Sequence, residues 1–523
     1  MQRFSLIEFI LSRLVGHSLP KEKIFLGIMG FIYLSLIFIS LFLFIYYFVK
    51  KKLYLEYDTK KIKILLFLLF FIPCLSSAFW VNNFNPCGDE PYYLISAHSL
   101  AIDGDLDFYN NAQHKDWKKF YKDELLMPPE MFLMFSKDQN PTYYYLPGIG
   151  TTLLIAPGYK IAGRLGVFFI IALVGALILV NLYHCSLDLS NDKQSAFIGS
   201  VLVGFSAPIF SYSQQIYPEI FAALLIIFIV KSLFFKLQLS KLNYIIIGIC
   251  IALLPIVHIK YAIVSFFFLV ISLYLNQTRK FRSYFYILLP LIMIMIIYVT
   301  FFYRLIGSLL PLRSYIRDSE TTSISVFSKN IQPIKQIFGG SFLGLLFDQE
   351  FGLFIYAPIY LVLGLGISIF IKIFKKSKAF FLIIFVFLYY FFISCIRGWH
   401  GAEFARYMVP IIPILGVFIS VAISRCQDKL FKRIVYFLAI ISFIITFLVT
   451  LWPPFRYGTN DGMNKILEKL NFPRFKITDI LPDSYSVPNY IVLSSKGWIL
   501  SIIYLVLIIL FTIYFYKKSN LES

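Results

Sequence analysis

Asp89 and Glu90 stand side by side in Phe84-Asn85-Pro86-Cys87-Gly88-Asp89-Glu90-Pro91-Tyr92-Tyr93, where an apolar run gives way to a polar stretch. Two neighbouring acids in a partly desolvated place cost free energy unless a cation, a metal ion or a proton neutralises them, and a general base or a metal cradle exploits that requirement. The same pair also suits a plain solvated turn in which Glu90 and Pro91 open a helix. Further polar groups recur at the ends of apolar runs: Tyr217-Pro218-Glu219, His258-Ile259-Lys260-Tyr261, Leu346-Phe347-Asp348-Gln349-Glu350-Phe351-Gly352 and Arg397-Gly398-Trp399-His400-Gly401-Ala402-Glu403-Phe404-Ala405-Arg406-Tyr407. From such a position the imidazole of His258 or the ammonium of Lys260 reaches a phosphate at headgroup depth, although a lysine snorkelling beside a tyrosine has the same pattern. Arg406 offers forked donors that match a phosphate, with a helix-end anchor as the alternative. Trp399 and His400 can stack on a sugar, and interfacial anchoring also explains the tryptophan.

The elements that must position these residues cross a membrane. Hydrophobic residues make up 59% of the 523-residue chain and charged residues 15%, with a mean hydropathy of +0.77, so there is too little polar surface to cover a soluble core. Apolar stretches at 24–49, 62–81, 165–186, 196–211, 218–236, 244–257, 261–276, 283–303, 353–373, 379–395, 408–424, 433–451 and 498–516 predict an all-α polytopic protein of about thirteen spans. Several stretches are short for a full crossing, so tilted or half-helices are expected near 244–276. The 58 phenylalanines and 36 tyrosines suit lipid-facing helices and interfacial belts. The net charge of +20 is spread over short clusters between apolar runs, such as Lys50-Lys51-Lys52, Lys375-Lys376 and Lys517-Lys518, and forms no single face for nucleic acid. By the positive-inside rule these clusters mark the cytosol, and the loop with Asp89 faces outward. The six cysteines show neither metal spacing nor a disulfide framework.

Four segments complete the predicted organisation. Phe4, Ile7, Leu11, Leu14 and Val15 recur at helical spacing and predict an interfacial amphipathic helix over 1–23, unlike a cleavable signal peptide. A membrane module covers 24–452, with a large first outer loop at 82–164. Within it, 143–160 is apolar, but counting it as a crossing would put Lys375 outside, so it is read as lying on or dipping into the outer interface. An outer loop at 453–497 and a last span with its tail at 498–523 follow. The first loop holds ten of the 28 acidic residues up to position 142, too patterned for a connector. Asp103-Gly104-Asp105-Leu106-Asp107 has calcium-loop alternation but lacks the distal bidentate glutamate such a loop needs.

In order and on one side, Asp89-Glu90, Tyr217-Pro218-Glu219, His258-Ile259-Lys260-Tyr261, the run from Leu345 to Leu353 followed by Tyr356-Ala357-Pro358, and Gly401 with Arg406-Tyr407 resemble the GT-C superfamily of membrane glycosyltransferases. The nearest group is the bacterial family 39-like set of protein O-mannosyltransferases and aminoarabinose transferases, and the resemblance runs from about residue 62 to 516. It implies an inverting transfer of a sugar from a polyprenyl phosphate to a hydroxyl on a glycan, lipid or protein, at the outer side of a bacterial inner membrane facing the periplasm. It implies Asp89 as base with Glu90 beside it, Lys260, Arg406 and His258 at the donor phosphate, and Glu219, Asp348, Glu350, Trp399, His400 and Tyr145 at the sugar or acceptor. A divalent metal is the one cofactor in question, with Asp89, Glu90 and His258 as its ligands if the fold brings them together. Relatives carry a basic residue and two prolines where this chain has Tyr144-Tyr145-Leu146-Pro147, which transfers the phosphate contact to Lys260 and Arg406. A transporter or flippase, or a glycan polymerase of the cell envelope, shares the topology. Against a transporter, the acids and histidines cluster at span ends and no internal repeat is visible.

Overall fold

The computed structural model describes residues 21–52, 57–106, 108–121, 148–235, 239–275, 282–306, 337, 341–375, 377–396, 405–453, 462–469, 471, 476–487 and 490–519. The expected amphipathic helix before residue 21, and Tyr145, Trp399 and His400, lie outside them.

Helices α1 (Lys21–Lys50) and α2 (Thr59–Val81) open the fold, followed by α3 (Glu90–His98) and α4 (Phe108–His114). The long α5 (Ile149–Ser190) leads to α6 (Lys193–Gly204), α7 (Ala207–Tyr212), α8 (Pro218–Phe235), α9 (Lys241–Val257), α10 (Ala262–Leu275) and α11 (Arg282–Ile306). Next come α12 (Phe342–Phe347), α13 (Leu353–Tyr356), α14 (Leu363–Phe374), α15 (Phe381–Ser394), α16 (Ile412–Arg425) and α17 (Lys429–Leu451). The chain closes with α18 (Lys465–Lys469), a two-stranded antiparallel ribbon of β1 (Ser484–Val487) and β2 (Tyr490–Leu493), and α19 (Ser495–Tyr516).

The architecture is all-α and polytopic. Among the described residues eight helices are long and apolar enough to cross a membrane, and four more apolar helices are shorter. That refines the expected thirteen spans. The stretch 196–211 is two short helices, because Ser206 is extended and Pro208 starts a new helix. The short pair expected near 244–276 appears as α9 and α10, interrupted at His258, whose backbone is extended.

The apolar stretch before residue 160 forms the first arm of α5. The backbone breaks at Ala162 and Gly163, and Gly163 adopts φ +57° with ψ −140°, a conformation that side chains disfavour. The arm packs beside α9: Thr151 Oγ1 donates to the Val257 carbonyl at 3.2 Å, and Gly150 leaves no room for a Cβ, which would lie 2.6 Å from the Ile256 oxygen. The remaining α5 is the central post, buried against α2, α6, α8 and α16. Outer helices α1, α11 and α19 keep many apolar side chains exposed, as lipid-facing helices do.

Contacts sort the loops into two ends. At one end, Lys193 donates to the Tyr57 carbonyl, Lys378 to that of Leu233, and Lys518 pairs with Asp428. At the other end, the Tyr217 hydroxyl donates to the Cys87 carbonyl, and the Ala405 amide donates to Phe351. Among the described residues, these lysines and the motif residues therefore occupy opposite ends of the bundle. All six cysteines are free thiols.

Candidate active site

Asp89 is the N-cap residue of α3, held there by the turn Cys87-Gly88 and by Pro91 in the first helical turn. Its carboxylate is 39% exposed and accepts a 2.8 Å hydrogen bond from Arg406 Nη2. Arg406 opens the last turn before α16 and is only 8% exposed at its side chain. Its Nε donates at 2.8 Å to Glu219 Oε1, and Glu219, in the first turn of α8, has no exposure. Lys260 Nζ reaches the same Glu219 oxygen at 2.5 Å. One buried carboxylate thus gathers both cations, and one of them bridges to the half-exposed Asp89. Arg406 lies 4.0 Å from the Tyr217 ring centroid and Lys260 4.5 Å from that of Tyr407, so aromatic faces complete the lining.

The charges explain the geometry. A buried arginine or lysine left unpaired costs several kcal/mol, so two such cations at one depth require anions of matching number. Glu219 and Asp89 supply them: two positive and two negative groups form one chain in which Asp89 is the most exposed member. Lys260 is therefore drawn inward rather than snorkelling. His258 caps the turn that carries Lys260, its Nδ1 accepting from the Lys260 amide at 3.2 Å.

Glu90 does different work from its neighbour. It is 1% exposed and accepts from the amides of Ile216 at 2.9 Å and Cys87 at 3.3 Å, with Arg164 Nη2 3.6 Å away. Arg164 in turn donates to the Phe84 carbonyl at 2.5 Å. Glu90 fixes the loop that aims Asp89. The expected Asp89, Glu90 and His258 ligand set is thereby corrected: arginine engages the first, backbone amides and arginine the second, and an amide caps the third. Among the described residues the donors close enough to share an ion are His98, Asp103 and Asp116.

Asp348 and Glu350, expected at the sugar or acceptor, are engaged within the protein. Both are buried; Asp348 Oδ1 accepts from the amides of Glu350 and Phe351, each at 2.9 Å, and Glu350 Oε2 accepts from Gly462 at 2.8 Å. They hold the turn together and tie it to the outer loop after α17. Arg164 was not singled out in the sequence, and Tyr217 and Tyr407 entered only as neighbours within the Glu219 and Arg406 motifs. A lone arginine inside an otherwise apolar run was the available signal for the first.

No family model and no curated protein matches the chain. Solved structures do resemble it. ArnT from Cupriavidus metallidurans in the apo state is 14% identical over 70% of this chain and 61% of its own, with a TM-score of 0.42. The same protein bound to undecaprenyl phosphate gives 14%, 72%, 63% and 0.42. The Archaeoglobus fulgidus oligosaccharyltransferase in the apo form is 13% identical over 74% of this chain and 56% of its own, with a TM-score of 0.41. This chain spans less than two thirds of the length of these structures. What it shares with them is the polytopic helical architecture.

Proposed function

We propose that this chain is a GT-C-type glycosyltransferase that moves a sugar from a polyprenyl phosphate to a hydroxyl of a glycan, lipid or protein acceptor, at the periplasmic face of a bacterial inner membrane and with inversion. The observation that carries the reading is the single buried chain of charge from Lys260 through Glu219 and Arg406 to Asp89. Its ends suit the two tasks of the reaction. Asp89 is the most open member and takes the proton of the acceptor hydroxyl as its oxygen bonds to the anomeric carbon. The bond from that carbon to the phosphate oxygen breaks, and the departing lipid phosphate keeps the electron pair. Arg406 and Lys260, gathered on one Glu219 oxygen, lie close enough together to receive that phosphate jointly. When Asp89 turns to the acceptor, Arg406 Nη2 is released to bond the phosphate, so base activation and anion binding exchange one hydrogen bond between them.

The test is consumption of a polyprenyl-phosphate sugar by the purified protein in lipid nanodiscs, with Asp89→Asn alongside. The amide keeps shape and hydrogen bonding but cannot accept the proton, so turnover is expected to fall roughly 10²- to 10⁴-fold with the fold intact. Donor movement across the bilayer without cleavage of its sugar–phosphate bond would instead identify a flippase, and unchanged turnover in Asp89→Asn would remove the base from this position.

A further inference from the structure

We propose that His98, Asp103 and Asp116, joined by the side-chain amide of Asn111, form a binding site for a first-row divalent cation at the end of α3 remote from Asp89, with the Lys119 ammonium as its resident competitor. One donor atom from each of the first three residues lies within 4.8 Å of the others. They converge because α3 runs into a π-helical turn, Ser99–Asp103, closed by Gly104 in the left-handed region, and the chain then returns through α4 to the short 3₁₀ turn Asp116–Lys119.

The surroundings fit a metal in three ways. His98 is 3% exposed, and its Nδ1 pairs with the Tyr159 hydroxyl at 3.1 Å, which orients the ring and leaves Nε2 directed at Asp116, 3.6 Å away. An outer partner on the second nitrogen is the usual support of a metal-ligating imidazole. Asn111 is fully buried and its Nδ2 donates to Asp103 at 2.6 Å and Asp116 at 3.0 Å, while its Oδ1 has no hydrogen-bond partner. Rotating that amide by half a turn, a choice that ordinary hydrogen-bond geometry leaves open, would bring Oδ1 to the two carboxylates. That orientation is repulsive without a cation and provides a fourth ligand with one.

Charge balance is the third. Two carboxylates face one ammonium: Lys119 Nζ lies 2.8 Å from Asp116 and 3.2 Å from His98 Nε2. Lys119 thus supplies one positive charge where two negative ones meet, and at 55% exposure its side chain is free to swing into water. A divalent ion in its place neutralises both acids. The mixed nitrogen and oxygen donors favour Mn²⁺ or Zn²⁺ over Ca²⁺, which takes oxygen ligands.

Calorimetric titration of the chelator-treated full chain with MnCl₂ tests the site without reference to transfer activity. One saturable site per chain is expected, roughly 10- to 100-fold weaker in His98→Gln and Asp116→Asn, as loss of a ligand or its support generally costs. Lys119→Met keeps every ligand and removes the competitor, so it should bind more tightly than the natural chain. Absence of saturable Mn²⁺ binding in both the natural chain and Lys119→Met, or binding indifferent to both ligand substitutions, overturns the assignment. Because Asp89 takes no part in these contacts, the outcome is independent of the transferase reading.

Discussion

At the scale of residues, Glu219 holds the charged centre together. It receives Arg406 and Lys260 on one oxygen with no exposure to water, so replacing it by glutamine leaves two buried cations with one acid, Asp89, which bonds Arg406. Removing one partner of a buried ion pair costs about 3–5 kcal/mol. Glu219→Gln should therefore unfold at clearly lower denaturant, and adding Lys260→Met should recover part of the loss by deleting the surplus charge. An unchanged midpoint in Glu219→Gln would mean that the centre is solvated and its charges screened. The sequence disclosed this centre only in part. Lys260 and Arg406 were legible because they stand at span ends apart from the basic clusters, each beside a tyrosine. Their meeting point on Glu219 was not, since helical spacing relates residues a turn apart and says nothing of positions 41 and 187 residues distant. For the same reason Glu90 looked like a second catalytic acid, although the amide of Ile216 takes up one of its oxygens.

At the scale of elements, the turn between α12 and α13 fastens the outer loop to the bundle. The Gln349 amide donates to the Pro482 carbonyl at 2.8 Å, Asn464 donates to the Gln349 carbonyl at 2.8 Å, and the Gly462 amide binds Glu350. Burial pushes the Asp348 carboxyl inside this turn up to about 7, with the Glu350 charge adding to the rise against the hydrogen bonds it accepts. A carboxyl whose folded pKa is raised above the ordinary value of about 4 contributes stability that is complete below that ordinary value and is lost as pH climbs through 7. Thermal melts should accordingly fall between about pH 4 and pH 7 and level off above, by a free energy on the order of a few kcal/mol. Asp348→Asn keeps the oxygen that accepts from Glu350 and Phe351 and should flatten that slope. A slope equal in both proteins would assign the dependence to another group. The opposite shift appears at the other outer cluster: burial disfavours the Asp116 charge, but hydrogen bonds from Lys119 and Asn111 and the nearby His98 outweigh it and hold the carboxyl below its usual range. Burial and Lys119 lower the His98 imidazole. Spans and their order were readable from hydropathy, whereas the breaks at Ser206 and Gly163 depend on packing that no window average detects.

At the scale of the whole molecule, lysines at one end and motif residues at the other predict a single orientation. Cysteine introduced at Asn110 should react with an impermeant maleimide on intact cells, and one at Lys51 only after permeabilisation, relative to the background of the six native thiols. Reversed labelling would place the site in the cytosol and deprive it of an outward-facing acceptor. The first arm of α5 also has a consequence for how the chain is made. Its seat is the α9 backbone at Ile256 and Val257, where Gly150 and Thr151 dock. A ribosome delivers that seat about a hundred residues after the arm itself. The arm therefore leaves the ribosome after α3, whose His98 pairs with Tyr159, but before the α9 backbone on which Gly150 and Thr151 dock. Final docking of the arm thus waits for α9, and substitutions at Gly150, where a Cβ would meet the Ile256 oxygen, should lower the yield of assembled protein.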